Sequence, residues 1–259
     1  ISGIISILLP ITVAQFMNKK NIVIKVVLSL IFIFVIGEIG TKTPVLSLLI
    51  TFLVSFIYFM IRSLKKKNYK IFAGLLIILT SVAVTSFLVV PKTNFYKNIM
   101  IHVKYLKLDS VDDIFENDYV FDHFIFSQRI TFLKNTSNRY DKASLKNKLF
   151  GIGYVNKNGK EYKAIEMDYY DVFYNHGILG FILYFSVYIY SLYLVFKNLV
   201  KKIDFKQLME YLSLILVLIL SLHSGHIITT PAVCIYVVII LKKLINLSLI
   251  HISEPTRLG

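Results

Sequence analysis

The sequence predicts an all-α, polytopic membrane protein with about seven transmembrane helices and one large external loop, on three observations. Its 259 residues are 56% hydrophobic, with a mean hydropathy of +0.67. That is more apolar surface than a soluble domain of this size buries, and it is gathered into stretches approaching the ~20 residues that cross about 30 Å of hydrocarbon. Basic residues fall on alternate connections between these stretches, as a positive-inside topology requires. One connection, residues 92–168, far exceeds the roughly 2–8 residues that join neighbouring helices, and a loop of that length is read as functional.

The apolar stretches are residues 4–17, 22–40, 44–61, 71–90, 170–196, 208–224 and 231–247. Membrane helices 1 to 4 therefore take residues 1–91, the external loop residues 92–168, and helices 5 to 7 residues 169–250. Lys19 and Lys20 lie on one connection; Arg62, Lys65, Lys66, Lys67 and Lys70 on a second; Lys197, Lys201, Lys202 and Lys206 on a third; Lys242 and Lys243 at a fourth. All four can face the cytoplasm at once, which leaves 41–43, 92–168 and 225–230 outside. The net charge of +14 then sets topology, and the partner it implies is the lipid bilayer and no nucleic acid.

The first stretch begins at Ile1 without a methionine or a basic lead, unlike a signal peptide, so the chain reads as an internal piece of a longer protein. Residues 251–259 break abruptly from the last span and read as a non-native tail, because Ser253-Glu254-Pro255-Thr256-Arg257-Leu258-Gly259 looks like translated cloning or adaptor sequence. Cys234 is the only cysteine, which excludes a disulfide framework. Tyrosine is abundant and tryptophan absent, so residues such as Tyr58, Tyr69, Tyr96, Tyr169, Tyr170 and Tyr188 supply the interfacial aromatic belt.

Ten of the fifteen acids lie in the long connection. Within it, Ser110 followed by Asp113, with Val111, Ile114 and Phe115 apolar, reads as a capped helix start over 110–120. Residues 121–149 continue as mixed helix, and Lys157-Asn158-Gly159-Lys160 reads as a turn. The next helix runs from Glu166 to Phe196, ~45 Å at 1.5 Å per residue, so its first turns project beyond the hydrocarbon. Asp168, Asp171 and Asn175 share a face of that projection. Gly177 and Gly180 admit a neighbouring backbone, with a hinge as the alternative reading.

Candidate chemistry gathers on the same side. Arg129, in Ser127-Gln128-Arg129, and Arg139 carry the planar fork that grips phosphate. Lys42, in Gly40-Thr41-Lys42-Thr43-Pro44, sits just outside the hydrocarbon, where it either meets a lipid-linked phosphate or snorkels to the interface. Glu166 and Asp168 read as a general base or as caps of a helix N-terminus, and both roles are compatible. His176 reads as a packing residue. His223 and His226 are three apart without a nearby acid, so no metal is expected. Gly151-Ile152-Gly153 lacks the dinucleotide fingerprint, and no cofactor is expected.

Taken in order, these elements resemble a known family. The Gly40-Thr41-Lys42-Thr43 turn after a span, the long loop with Ser127-Gln128-Arg129, the Leu149-Phe150-Gly151-Ile152-Gly153-Tyr154 segment, and acids leading into His176-Gly177-Ile178-Leu179-Gly180-Phe181 are similar to the bacterial O-antigen ligase and polysaccharide polymerase superfamily over most of residues 30–197. The resemblance implies a multi-span glycosyltransferase at the outer face of the bacterial cytoplasmic (inner) membrane, taking a glycan from a polyprenyl-diphosphate carrier. Arginines would grip the diphosphate while a base helps an acceptor hydroxyl attack the anomeric carbon. Where ligases of the family carry His-Asn, this chain has Glu166 and Met167. That departure fits a polymerase of capsule, exopolysaccharide or another wall glycan, with Arg129, Arg139 and Lys42 on the diphosphate and Glu166 or Asp168 as base. Other polysaccharide-assembly proteins are the further partners it implies. Ligase-type transfer and a transporter or flippase of lipid-linked glycans are the alternatives, together with a non-catalytic scaffold.

Overall fold

The computed structural model describes residues 1–17, 22–109, 112–155, 161–199 and 203–253. Lys19, Lys20, Ser110, Val111, the turn at 157–160, Lys201, Lys202 and the end of the expected tail lie outside the described residues. Among those described, the chain is helical, with one isolated bridge between Val155 and Glu161 and no strand. It divides into two compact units, residues 1–107 with 204–213, and residues 108–203 with 214–259.

The first unit holds α1 (Ser2–Met17), α2 (Ile22–Ile39), α3 (Lys42–Lys65), α4 (Tyr69–Val89), a 3₁₀ turn (Val90–Lys92) and α5 (Asn94–Tyr105). Small hydroxyl residues bring α1 and α3 together: Ser47 Oγ donates to the Ser6 carbonyl at 2.6 Å, and both serines are buried. Such contacts suit a membrane setting, where small side chains let helices approach and no hydrophobic drive pulls them together. Gly40 (φ 68) ends α2, and Asn98 Nδ2 donates to its carbonyl at 2.9 Å. The first residues of α11 (Phe205–His223) also belong to this unit, where Phe205 packs on Tyr58 and Phe59.

The second unit holds α6 (Asp113–Glu116), α7 (Asp118–Phe121), a π turn (Asp122–Phe126), α8 (Arg129–Asp141), α9 (Leu145–Phe150), α10 (Asp168–Leu199), α11 from Leu214 onward, and α12 (Pro231–Ser253). Its core is apolar and aromatic: Val217, Leu220, Ile228 and Ile240 are buried, and Phe173, Phe181, Phe185 and Tyr188 form a chain of ring contacts along α10.

All seven expected stretches fall on helices, α1 to α4 and α10 to α12. Four helices among the described residues are long and apolar enough to cross a membrane: Lys42–Lys65, Tyr69–Lys92, Asp168–Leu199 and Phe205–His223. Ser2–Met17 and Val27–Ile39 are apolar but shorter.

The uninterrupted helix expected from Glu166 to Phe196 is broken at Gly177, whose φ of 68 and ψ of −173 are not helical. The cause is the segment Leu149–Gly153. A side chain on Gly177 would collide with the backbone of Leu149 and Gly151, and one on Gly151 with that of Asn175 and His176. Two amides of the segment then close the first half of α10: Ile152 N–H donates to the Tyr174 carbonyl at 2.9 Å and Gly153 N–H to the Asn175 carbonyl at 3.3 Å. Helix ends leave carbonyls without partners, and these two are satisfied from outside the helix. Glycine is required at both positions, because positive φ combined with extended ψ is open to it almost alone and it leaves room for the crossing backbone.

Candidate active site

The second unit gathers Arg129, Glu166 and the connection between α11 and α12 into one place. Arg129 Nη2 lies 3.4 Å from Glu166 Oε2, and Arg129 Nη1 lies 3.5 Å from the His223 carbonyl oxygen. Both contacts are long for charge-assisted bonds, which run about 2.7–2.9 Å. Arg129 Nε is buried with no hydrogen-bond partner. The guanidinium is therefore held in place with donor capacity to spare. Glu166 is the open member of the pair, its side chain 40% exposed against 21% for Arg129.

Three buried carboxylates fix this arrangement. Asp122 caps the start of α8: it accepts from Ile130 N–H at 2.9 Å, Thr131 N–H at 3.0 Å and Thr131 Oγ1 at 2.7 Å. That anchors the helix at the residue beside Arg129. Asp168, only 1% exposed, accepts four bonds from the α11–α12 connection: His226 N–H, Ile227 N–H and Ile228 N–H at 2.8 Å, and Thr229 Oγ1 at 2.7 Å. Asp171 turns back along the chain and accepts from Ile165 N–H at 3.0 Å and Glu166 N–H at 2.9 Å. On the far side Gly225 lies so close to Glu166 that a side chain there would meet its Cα, carbonyl carbon and oxygen.

Backbone strain concentrates here. Six non-glycine residues among those described have positive φ, and four of them, Ser127, Gln128, Glu166 and His226, belong to this cluster. Each such residue costs on the order of 1–3 kcal/mol and persists only where its surroundings over-determine it. Ser127 and Gln128 join the π turn to α8 and so set where Arg129 begins.

Of the residues singled out from sequence, Arg129 and Glu166 come together, and Asp168 is the buried clamp on the neighbouring connection. Arg139 lies elsewhere: its guanidinium stacks 3.5 Å over the Tyr162 ring and donates to Thr136 Oγ1 at 3.3 Å, roughly 15 Å further along α8 at 1.5 Å per residue. Lys42 opens α3 in the first unit and is exposed. Glu38, close to it in sequence, accepts from Asn94 Nδ2 at 2.8 Å.

His176 closes the first half of α10, its Nε2 3.3 Å from the Tyr154 hydroxyl. Burial, and next the charge of Asp171, push the Tyr154 phenol above its ordinary range, so it stays neutral beside the imidazole. Tyr140 hydrogen-bonds the Lys148 carbonyl at 2.9 Å and packs on Phe173 and Tyr174, and burial raises its pKa too.

Sequence reading missed Asp122, the bonds made by Asp171, the His223 carbonyl and Gly225. The first two are hydrogen bonds to main-chain amides, which leave no spacing signature at eight or five residues' separation. Residues 225–230 read from sequence only as an external connection, and the seat of Gly225 against Glu166 is a tertiary fact.

A family model described as "O-antigen ligase like membrane protein" matches residues 107–250. That span contains Arg129, Arg139, Glu166, Asp168 and the α11–α12 connection. No curated protein and no solved structure matches the chain.

Proposed function

This chain belongs to the O-antigen ligase-like membrane protein family, and from that premise we propose that it is a multi-pass membrane glycosyltransferase that polymerises lipid-linked oligosaccharide repeats for a capsule, exopolysaccharide or O-antigen-like glycan. The observation that carries the reading is the pairing of an incompletely satisfied Arg129 with an open Glu166 at 3.4 Å. A fixed cation beside a carboxylate is the minimum set for displacing a diphosphate by a hydroxyl.

The donor is a glycan on a polyprenyl diphosphate. Its diphosphate oxygens take the Nη donors of Arg129 and loosen the guanidinium's long contact with Glu166. As the acceptor hydroxyl oxygen bonds to the anomeric carbon, the bond from that carbon to the diphosphate oxygen breaks. The electron pair leaves on the diphosphate, whose growing charge Arg129 stabilises, and the hydroxyl proton passes to the Glu166 carboxylate. Asp168 serves from behind, holding the α11–α12 connection, because all four bonds it accepts are internal. Arg139 supplies outlying positive charge for the same diphosphate. In this reading the chain has seven spans in the bacterial cytoplasmic membrane and residues 92–168 lie outside. Other polysaccharide-assembly proteins feed it substrate and take its product.

Replacing Arg129 and Glu166 separately in the full-length protein, in cells lacking the natural gene, tests this. Glycan length and the amount of glycan joined to each acceptor are read on gels. Loss of long polymer with either change is expected. Unchanged polymer from correctly inserted variants overturns the reading, and normal chain length with lost attachment to a lipid acceptor replaces polymerase by ligase.

A further inference from the structure

Glu166 has an unusual backbone for a residue that must present a carboxylate. Its φ is 61, a conformation that favours glycine, and it stands between Ile165 and Met167, which are 0% and 5% exposed. The chain therefore turns inward, outward and inward again over three residues, and the outward turn is the acid. Nothing in the local sequence favours that turn; it has to be imposed.

Two neighbours impose it. Asp171 holds the inner side, its two carboxylate oxygens each taking one amide, Oδ1 from Ile165 and Oδ2 from Glu166 itself. Gly225 holds the outer side, its backbone against the Glu166 carbonyl. Asp171 is in turn set by α10, its own N–H bonded to the Met167 carbonyl at 3.0 Å. Two parallel amides ask for two acceptor atoms. An aspartate supplies them, whereas an asparagine supplies one and turns an NH₂ donor toward the other amide.

We infer that Asp171 is a positioning residue for the reaction: by gripping the Ile165 and Glu166 amides it holds Glu166 in its left-handed turn and so aims the carboxylate at Arg129. The inference rests on the proposed role of Glu166. Asp171 touches no substrate, since both its oxygens are engaged and it is 7% exposed. Its effect on the reaction passes through the peptide it holds.

A four-member cycle of wild type, Asp171→Asn, Glu166→Gln and the double variant tests this. Each full-length protein is inserted in membranes and supplied with the lipid-linked oligosaccharide fraction extracted from cells lacking the gene, and initial transfer rates are normalised to the amount of folded protein. Misplacing a reacting group by about 1 Å costs on the order of 100-fold. Asp171→Asn is therefore expected to lower kcat by roughly 10- to 100-fold with little change in KM, and to add almost nothing in the Glu166→Gln background, because groups acting as one unit are not additive.

A full multiplicative loss in the double variant overturns the inference and leaves Asp171 as a residue of general stability. So does an Asp171→Asn enzyme as fast as wild type while Glu166→Gln is slow. If Glu166→Gln itself is as active as wild type, the proposed role of Glu166 fails, and the inference with it. Should Asp171→Asn yield no folded protein, Gly225→Ala presses on the same peptide from the other face. It must then show the same loss of kcat and the same non-additivity with Glu166→Gln, and independent losses reject the positioning role.

Discussion

The two ends of α8 carry the same side chain in opposite circumstances. At its start Arg129 makes long contacts to a carboxylate and a carbonyl and keeps a buried Nε without a partner. At its other end Arg139 lies flat on Tyr162 and donates to Thr136. In the proposed reaction the first guanidinium exchanges these long contacts for a bidentate phosphate contact, which is shorter and stronger. The second has already satisfied its face and one of its donors in packing. An arginine's value for binding an anion thus depends on what it gives up to do so.

Arg129 is where the two ends of α8 should differ most in their effect on transfer. Substitution Arg129→Lys keeps the charge but loses the fork, and transfer should fall by about 10²–10³-fold, the range seen when one donor to a developing anion is removed. Initial rates at saturating lipid-linked donor measure it. A lysine enzyme within a few-fold of wild type would mean that charge alone suffices at this end, and the contrast with Arg139 would lose its basis in geometry.

Next in size is Asp168→Asn. One oxygen of Asp168 accepts two amides and the other an amide and a hydroxyl, so an asparagine must turn an NH₂ toward at least one donor. Breaking buried hydrogen bonds to a charged group costs about 1.5–3 kcal/mol, visible as a lower melting temperature in detergent. Transfer per folded molecule should fall less than with Arg129→Lys, since Arg129 and Glu166 remain. If the reverse order is found, Asp168 carries chemistry of its own and is more than a clamp.

These residues also mark how far the sequence could be read. Hydropathy located the long helices, because the need to cover about 30 Å of hydrocarbon leaves a signal in composition alone, and among the described residues four of them are long and apolar enough to cross a membrane. Arg129 and Glu166 stood out in the sequence because such side chains are rare in an apolar chain, and Glu166 also because it stands where ligases of the family carry histidine. Their company was not. Asp122, Asp168 and Asp171 all bind main-chain amides, and an amide has no letter in a sequence. The break in α10 was hidden for a related reason: Gly177 reads as a packing glycine, and what turns it into a break is the backbone of Leu149–Gly153, far away along the chain.

The start of α8 can also be loosened without touching Arg129. Asp122→Ala removes the acceptor of Ile130 N–H, Thr131 N–H and the Thr131 hydroxyl, which should cost about 0.5–2 kcal/mol as a lost N-cap. Transfer should fall by roughly tenfold, or about 1.4 kcal/mol of barrier, because Arg129 stays in the chain but its helix start frays. Thermal unfolding and initial rate on the same sample separate the two effects. Loss of stability with full activity would show that Arg129 does not depend on its cap.

The smallest effect is expected at Arg139. A diphosphate held at Arg129 lies roughly 15 Å along the helix from it. A unit charge at that distance through water contributes about 0.3 kcal/mol before salt screens it, which is under about twofold in rate. Arg139→Gln removes the cation from the Tyr162 ring, so about 0.5–2 kcal/mol of stability should go with it, while transfer per folded molecule changes by less than about twofold. Arg139→Lys keeps a cation for the ring and should recover part of the stability without changing the rate. A large fall in rate with Arg139→Gln at unchanged stability would mean that Arg139 leaves Tyr162 during turnover and grips substrate directly, and the two ends of α8 would then work as one phosphate clamp.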